Sequence, residues 1–170
     1  MKLMTSAILL AIAMMTQVQA QAGEVKVTWQ EPEKFTDIRP GNESKSGFQE
    51  RMIKDFDQIF ADLAKKLPDA YQWDVTVTDL DLAGDVRPFY RNTVGDIRVI
   101  KDLYWPRMTL TFDLKDEKGK SIATGTENIK DMNFLMRSGL ATGNSSFRYE
   151  EQMLRDWFAK QQRDKIFPSR

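Results

Sequence analysis

The sequence predicts an α+β fold in which two helices pack on one face of a mixed four- to five-stranded sheet, in the order β-α-β-(β)-β-β-α. Three observations carry this. Two stretches space their apolar residues three and four apart, as a half-buried helix does. Four others alternate apolar and polar residues with the period of a strand whose faces differ. The first helical stretch lies between the first two strand-like ones, so a right-handed crossover should make those two strands parallel.

The first strand is Glu24 to Trp29, with Val25, Val27 and Trp29 on one side and Lys26 and Thr28 on the other. Glu31 to Gly47 carries Pro32, Pro40, Gly41, Asn42 and Ser44 and reads as a loop. From Phe48 a stripe of Met52, Phe56, Ile59, Phe60, Leu63 and Leu67 marks the clearest helix, with Ser46 as its expected cap and Pro68 beyond its end. Alternation resumes at Trp73, Val75 and Val77, but Leu80 and Leu82 have the opposite parity. One flat strand cannot bury both sets, so a bulge is expected near Thr78-Asp79.

Gly84 to Pro106 is a long connection containing one short strand-like piece, Asp96 to Lys101. Met108, Leu110, Phe112 and Leu114 then share one face. Asp116 to Gly119 turns the chain, with Gly119 where positive φ is wanted, and Lys120 to Lys130 returns as the partner strand. Asp131 to Asn144 is a second irregular connection, whose Met132, Phe134, Leu135 and Met136 read as a buried plug. Ser145 or Ser146 should cap a last helix with Met153, Leu154, Trp157 and Phe158 inward, and the tail from Gln161 should fray.

The N-terminus reads as a signal peptide over residues 1–20. Lys2 gives a positive start, Leu3 to Met15 an apolar centre shorter than the ~20 residues of a membrane span, and Val18-Gln19-Ala20 a small-x-small cleavage site. The expected mature chain is one domain, residues 21–170, released into the periplasm with no membrane span left. It is not a lipoprotein, because no Cys is present to carry lipid. Its 24 basic residues, the 25 of the whole chain less Lys2, face 25 acidic ones. That balance gives no reason to expect nucleic acid as a partner.

The chain has no His and no Cys. That excludes disulfides, Ser-His-Asp and Cys-His machinery and an ordinary zinc site, and no cofactor or metal is expected. Carboxylate chemistry, Lys or Tyr chemistry, or plain binding remain. Gly119-Lys120-Ser121 copies the end of a phosphate loop, but Leu114 stands where the first Gly belongs and the tripeptide lies in a hairpin. Asp79 to Asp85 departs from a calcium loop at Ala83 and Tyr90.

What survives is a concentration of polar and aromatic residues in the two long connections. The candidate ligand-binding set is Asp79, Asp81, Asp85, Arg87, Asp96, Arg98, Trp105, Arg107 and Arg137, on loops of the kind that most often carry function. Three carboxylates as close in sequence as Asp79, Asp81 and Asp85 need neutralising, and Arg87, Arg98 and Arg107 are the expected partners. Such pairing by itself would only pin the loops.

The strings Thr78-Asp79-Leu80-Asp81-Leu82-Ala83-Gly84-Asp85, Asp96-Ile97-Arg98-Val99-Ile100-Lys101-Asp102, Trp105-Pro106-Arg107, Lys130-Asp131-Met132-Asn133-Phe134 and Ser146-Phe147-Arg148-Tyr149-Glu150 resemble an exported bacterial family, domain of unknown function 3016. The likeness runs from Val25 to Phe158. It implies an exported protein and carries over no activity, cofactor or catalytic residue. Two functions are therefore expected from the residues themselves. One is a non-enzymatic binding or adaptor module for an envelope protein or an anionic or glycan ligand. The other is a carboxylate-dependent enzyme of envelope glycans, using two of Asp79, Asp81, Asp85, Asp96 and Asp102.

Overall fold

The structure, a computed structural model, describes residues 23–41, 43–88, 95–136 and 146–170. The signal-peptide segment, Tyr90, Arg137 and Ser145 lie outside the described residues. The α+β reading holds. The strands β1 (Glu24–Trp29), β2 (Gln72–Asp81), β5 (Arg107–Lys115) and β6 (Ser121–Lys130) form one sheet in the order β1-β2-β5-β6. Its β1–β2 pair is parallel and the rest are antiparallel. The helices α1 (Lys45–Ala64) and α2 (Arg148–Arg163) cover the face carrying Trp73, Val75, Val77, Leu110, Phe112 and Leu114.

The expected bulge lies at Thr78. Val77 sits opposite Leu110 and Asp79 opposite Thr109, so the extra residue lets Leu80 return to the helix side. Both apolar sets are thereby buried, with Val77 and Leu80 at 0% exposure. In the β5–β6 turn Gly119 adopts φ 75° as expected, and the Asp116 carboxylate accepts from the amides of Lys118 and Lys120 at 2.9 and 3.0 Å.

The long connection between β2 and β5 holds two short strands where one was expected. β3 (Asp85–Pro88) pairs with β4 (Asp96–Val99) in a separate two-stranded sheet. Helix α1 starts earlier than expected: Ser44, not Ser46, is the cap, its extended backbone aiming Oγ at the Gly47 amide 3.1 Å away. No serine caps α2. Phe147 stands at that position, and its packing on Phe48 and Phe56 fixes where the helix begins.

Two readings of the C-terminal third are corrected. Helix α2 continues to Arg163, and the following chain folds back. Phe167 enters the core at 1% exposure, within 5.1–5.7 Å of the rings of Trp73, Phe112, Trp157 and Phe158. Of the proposed plug only Phe134 is buried, held edge-on to Tyr149 at 4.9 Å. Met132, Leu135 and Met136 are exposed, because a turn of four consecutive residues cannot direct every side chain inward.

Candidate functional site

The site grows from the end of the sheet where β2 leaves it. The loop after β1 returns alongside β2, with the Asp37 amide donating to the Leu80 carbonyl and the Leu82 amide to the Asp37 carbonyl. This brings Asp37 beside Arg98 of β4. Arg98 Nη1 donates to Asp37 Oδ2 at 2.8 Å and to the carbonyls of Ala83 and Gly84 at 3.3 and 3.4 Å. Its Nη2 donates to the Arg39 carbonyl at 3.1 Å. One planar guanidinium thus ties three chain segments together, a task for which the rigid fork of Arg suits better than Lys.

Arg39 extends the network, donating from Nε to Asp37 at 3.3 Å and from Nη2 to Asp85 at 2.9 Å. Asp85 also accepts from Arg87 Nε at 3.0 Å, while Arg87 Nη2 donates to the Tyr104 hydroxyl at 2.8 Å. Chiefly the Arg87 hydrogen bond, with the charge of Arg39 adding, holds the Asp85 carboxyl below its ordinary range.

Behind Ala83 stands Glu150, in the first turn of α2 and only 3% exposed. Its Oε1 accepts from the Ala83 amide at 2.6 Å. Burial pushes this carboxyl above its ordinary value, and the amide hydrogen bonds only partly offset that. Above Glu150 opens a cleft of about 310 Å³ between the N-termini of α1 and α2. Arg39, Arg51, Arg98 and Arg148 reach it from four separate segments, and Phe48, Leu82, Ile100, Phe147 and Tyr149 form its apolar walls. Arg51 lies over the rings of Phe48 and Phe147 at 5.2 and 5.5 Å. Arg148 lies over Tyr149 at 4.8 Å, and no carboxylate among the described residues pairs with it.

The sequence candidates therefore scatter. Asp85, Arg87 and Arg98 join one network through Arg39. Asp81 pairs with Arg107 across the β2–β5 ladder, and Asp79 accepts from the amide and hydroxyl of Thr36 at 2.8 and 2.7 Å. The three neighbouring carboxylates thus find separate partners within the protein, arginines for Asp81 and Asp85 and the neutral donors of Thr36 for Asp79. Arg98 is the exception to the expected pairing, because Asp37 is bridged to Asp81 and stands nearer the guanidinium. Asp96 is exposed at the start of β4, Trp105 is half-buried just before β5, and Arg137 lies outside the described residues. Of the eight candidates among the described residues, only Arg98 lines the cleft.

Sequence reasoning missed Arg39 and Arg51, which no motif marks. Arg148, Tyr149 and Glu150 did carry a signal: they fall in the first turn of the last helix, where a helix end presents unpaired amides. A second, more open groove of about 360 Å³ passes Ile129, Met153 and Trp157 between β6 and α2, with charges of both signs on its rim. Among the described residues no group of three or more acidic side chains could hold a metal ion. No helix among them is long and apolar enough to cross a membrane.

Fold and cleft together define a small α+β domain with an arginine-lined pocket. The chain belongs to the family described as protein of unknown function DUF3016, whose match covers residues 23–160 and so includes every element of the sheet and the cleft. No curated protein and no solved structure matches the chain.

Proposed function

We propose that the protein is an exported, non-enzymatic binding module that holds a small anionic ligand in the cleft between α1 and α2. The observation that carries this is the convergence of four arginines from separate segments on one cavity, at the positive ends of two helices. Arg39, Arg51 and Arg98 already have carboxylate partners, which keep the site ordered, whereas Arg148 has no carboxylate partner among the described residues and donates to the Tyr149 hydroxyl. The size falls at the small end of ligand pockets, about 300–1,000 Å³. Export rests on the N-terminal pattern of Lys2, the apolar stretch and Ala20. N-terminal sequencing of protein from the periplasmic fraction should begin at Gln21, and a retained Met1 would end that part of the proposal.

Binding is tested by titrating labelled protein with inorganic phosphate while following backbone amide resonances. Shifts should concentrate at Ala83 and at Arg148 to Glu150 and should vanish in Arg148→Ala. Shifts spread over unrelated surface lysines would refute the site. An enzymatic reading draws on Glu150, a buried carboxyl whose proton is held more tightly than usual, as a general acid needs. Against it, Asp79, Asp81 and Asp85 are each tied to a cation or a hydroxyl. Loss of an envelope-glycan hydrolysis in Glu150→Gln would favour the enzyme.

A further inference from the structure

The cleft is lined by apolar side chains as well as arginines, and these narrow what it can hold. Ile100 is left 37% exposed at the cavity, its position set by the Gly84 backbone: a Cβ on that glycine would lie 2.7 Å from Ile100 Cδ1. Leu82, Phe48 and Phe147 continue the apolar wall, and the Tyr149 ring, braced by Phe134, closes it. A bare inorganic anion would satisfy the guanidinium groups and leave the exposed Ile100 side chain against water. Apolar area is stabilised by being covered, at roughly 25 cal/mol per Å².

Building on the anion-binding reading, we propose that the ligand is an amphipathic small anion, an acid group joined to one compact apolar body such as a single ring or a short chain. The acid head sits on Arg148, whose guanidinium has no carboxylate of its own among the described residues and stands at the first turn of α2. The body lies along Ile100 and Phe147. Arg39 and Arg98, already engaged with Asp37 and Asp85, set the shape of the rim rather than taking the charge. A cavity of about 310 Å³ has room for one such body and not for an extended chain.

The test compares phenyl phosphate with inorganic phosphate by calorimetric titration of the full mature protein and of two variants. Phenyl phosphate should bind at least tenfold more tightly. Ile100→Asn, at an exposed position that leaves the fold intact by thermal melting, should remove most of that advantage and bring the two affinities together. Arg148→Ala should weaken both. Equal affinity for the two probes would overturn the amphipathic ligand and leave the anion site standing. A phenyl phosphate advantage that survives Ile100→Asn would place the ring outside the cleft and overturn the inference as well. Binding of neither probe would overturn the anion site itself.

Discussion

Replacing Arg98 by alanine removes one guanidinium and strips partners from four acceptors at once. Asp37, 8% exposed, keeps the Arg39 amide at 3.4 Å and Arg39 Nε at 3.3 Å, both on Oδ1, and the carbonyls of Ala83, Gly84 and Arg39 lose a charged donor. Hydrogen bonds to charged groups contribute about 1.5–3 kcal/mol each, and breaking a buried ion pair costs about 3–5 kcal/mol. Arg98 keeps 22% of its side chain in water, and solvent can reach some of the abandoned carbonyls. The expected loss is therefore about 2–4 kcal/mol, below the fully buried figure. For a domain of this size that lowers Tm by about 5–15 °C. Urea melts of parent and Arg98→Ala chains, with millimolar calcium and with chelator, measure it. Because the protein supplies its own partners for these carboxylates, calcium should change neither curve. A loss under about 0.5 kcal/mol, the size of an ordinary surface change, would refute the tie between the three segments. A calcium-dependent rise of several degrees would refute this internal pairing, since a ligand stabilises only by binding the native state.

Phe167→Ala should cost about 3–5 kcal/mol, because the ring is fully buried among four aromatic neighbours; a denaturant melt indistinguishable from the parent would mean the returning tail is not docked. Leu63→Ala, at 0% exposure in the middle of the α1 stripe, should cost about 2–4 kcal/mol by the same measurement. The Glu150 carboxyl is raised in the folded state, so the native protein binds this proton more tightly than the unfolded chain. Its contribution is fully present below the ordinary carboxylate range and is lost as pH rises through the raised value. Glu150→Gln should flatten that decline when melts are taken from acid to neutral pH, and an unchanged pH profile would show that the carboxyl is not held in this way.

The parts of the fold that were legible in the sequence are those governed by local pattern. The α1 stripe, the alternation in β2 and β5, the parity slip at Thr78 and the turn at Gly119 each depend on residues close in sequence, and each appears in the structure. What failed to show depends on distant packing. The start of α2 is set by Phe147 meeting Phe48 and Phe56, and Phe167 is buried only because four rings from three other elements leave room for it. The candidate site followed the same division. An Asp-rich stretch is visible as composition, but Arg39, Arg51 and Arg148 reach one cavity only after the loop following β1 has crossed to Leu80 and Leu82. Arg98 was legible as a charged loop residue, although its partner Asp37 was not.

The single parallel pair in an otherwise antiparallel sheet bears on the order in which the chain assembles. β5 and β6 are joined by a tight turn and can zip together early, whereas β1 and β2 meet only after the whole of α1 has been laid between them. Closing that longer segment costs entropy before any ladder bond repays it, and such non-local pairings slow folding. α1 shortens the gap by growing locally and presenting its stripe to both strands. The edge strand should then dock late, after the rate-limiting barrier. A Val27→Ala chain is accordingly expected to refold near the parent rate and to unfold faster, which stopped-flow tryptophan fluorescence can read. Slowed refolding with unchanged unfolding would mean instead that β1 belongs to the folding nucleus.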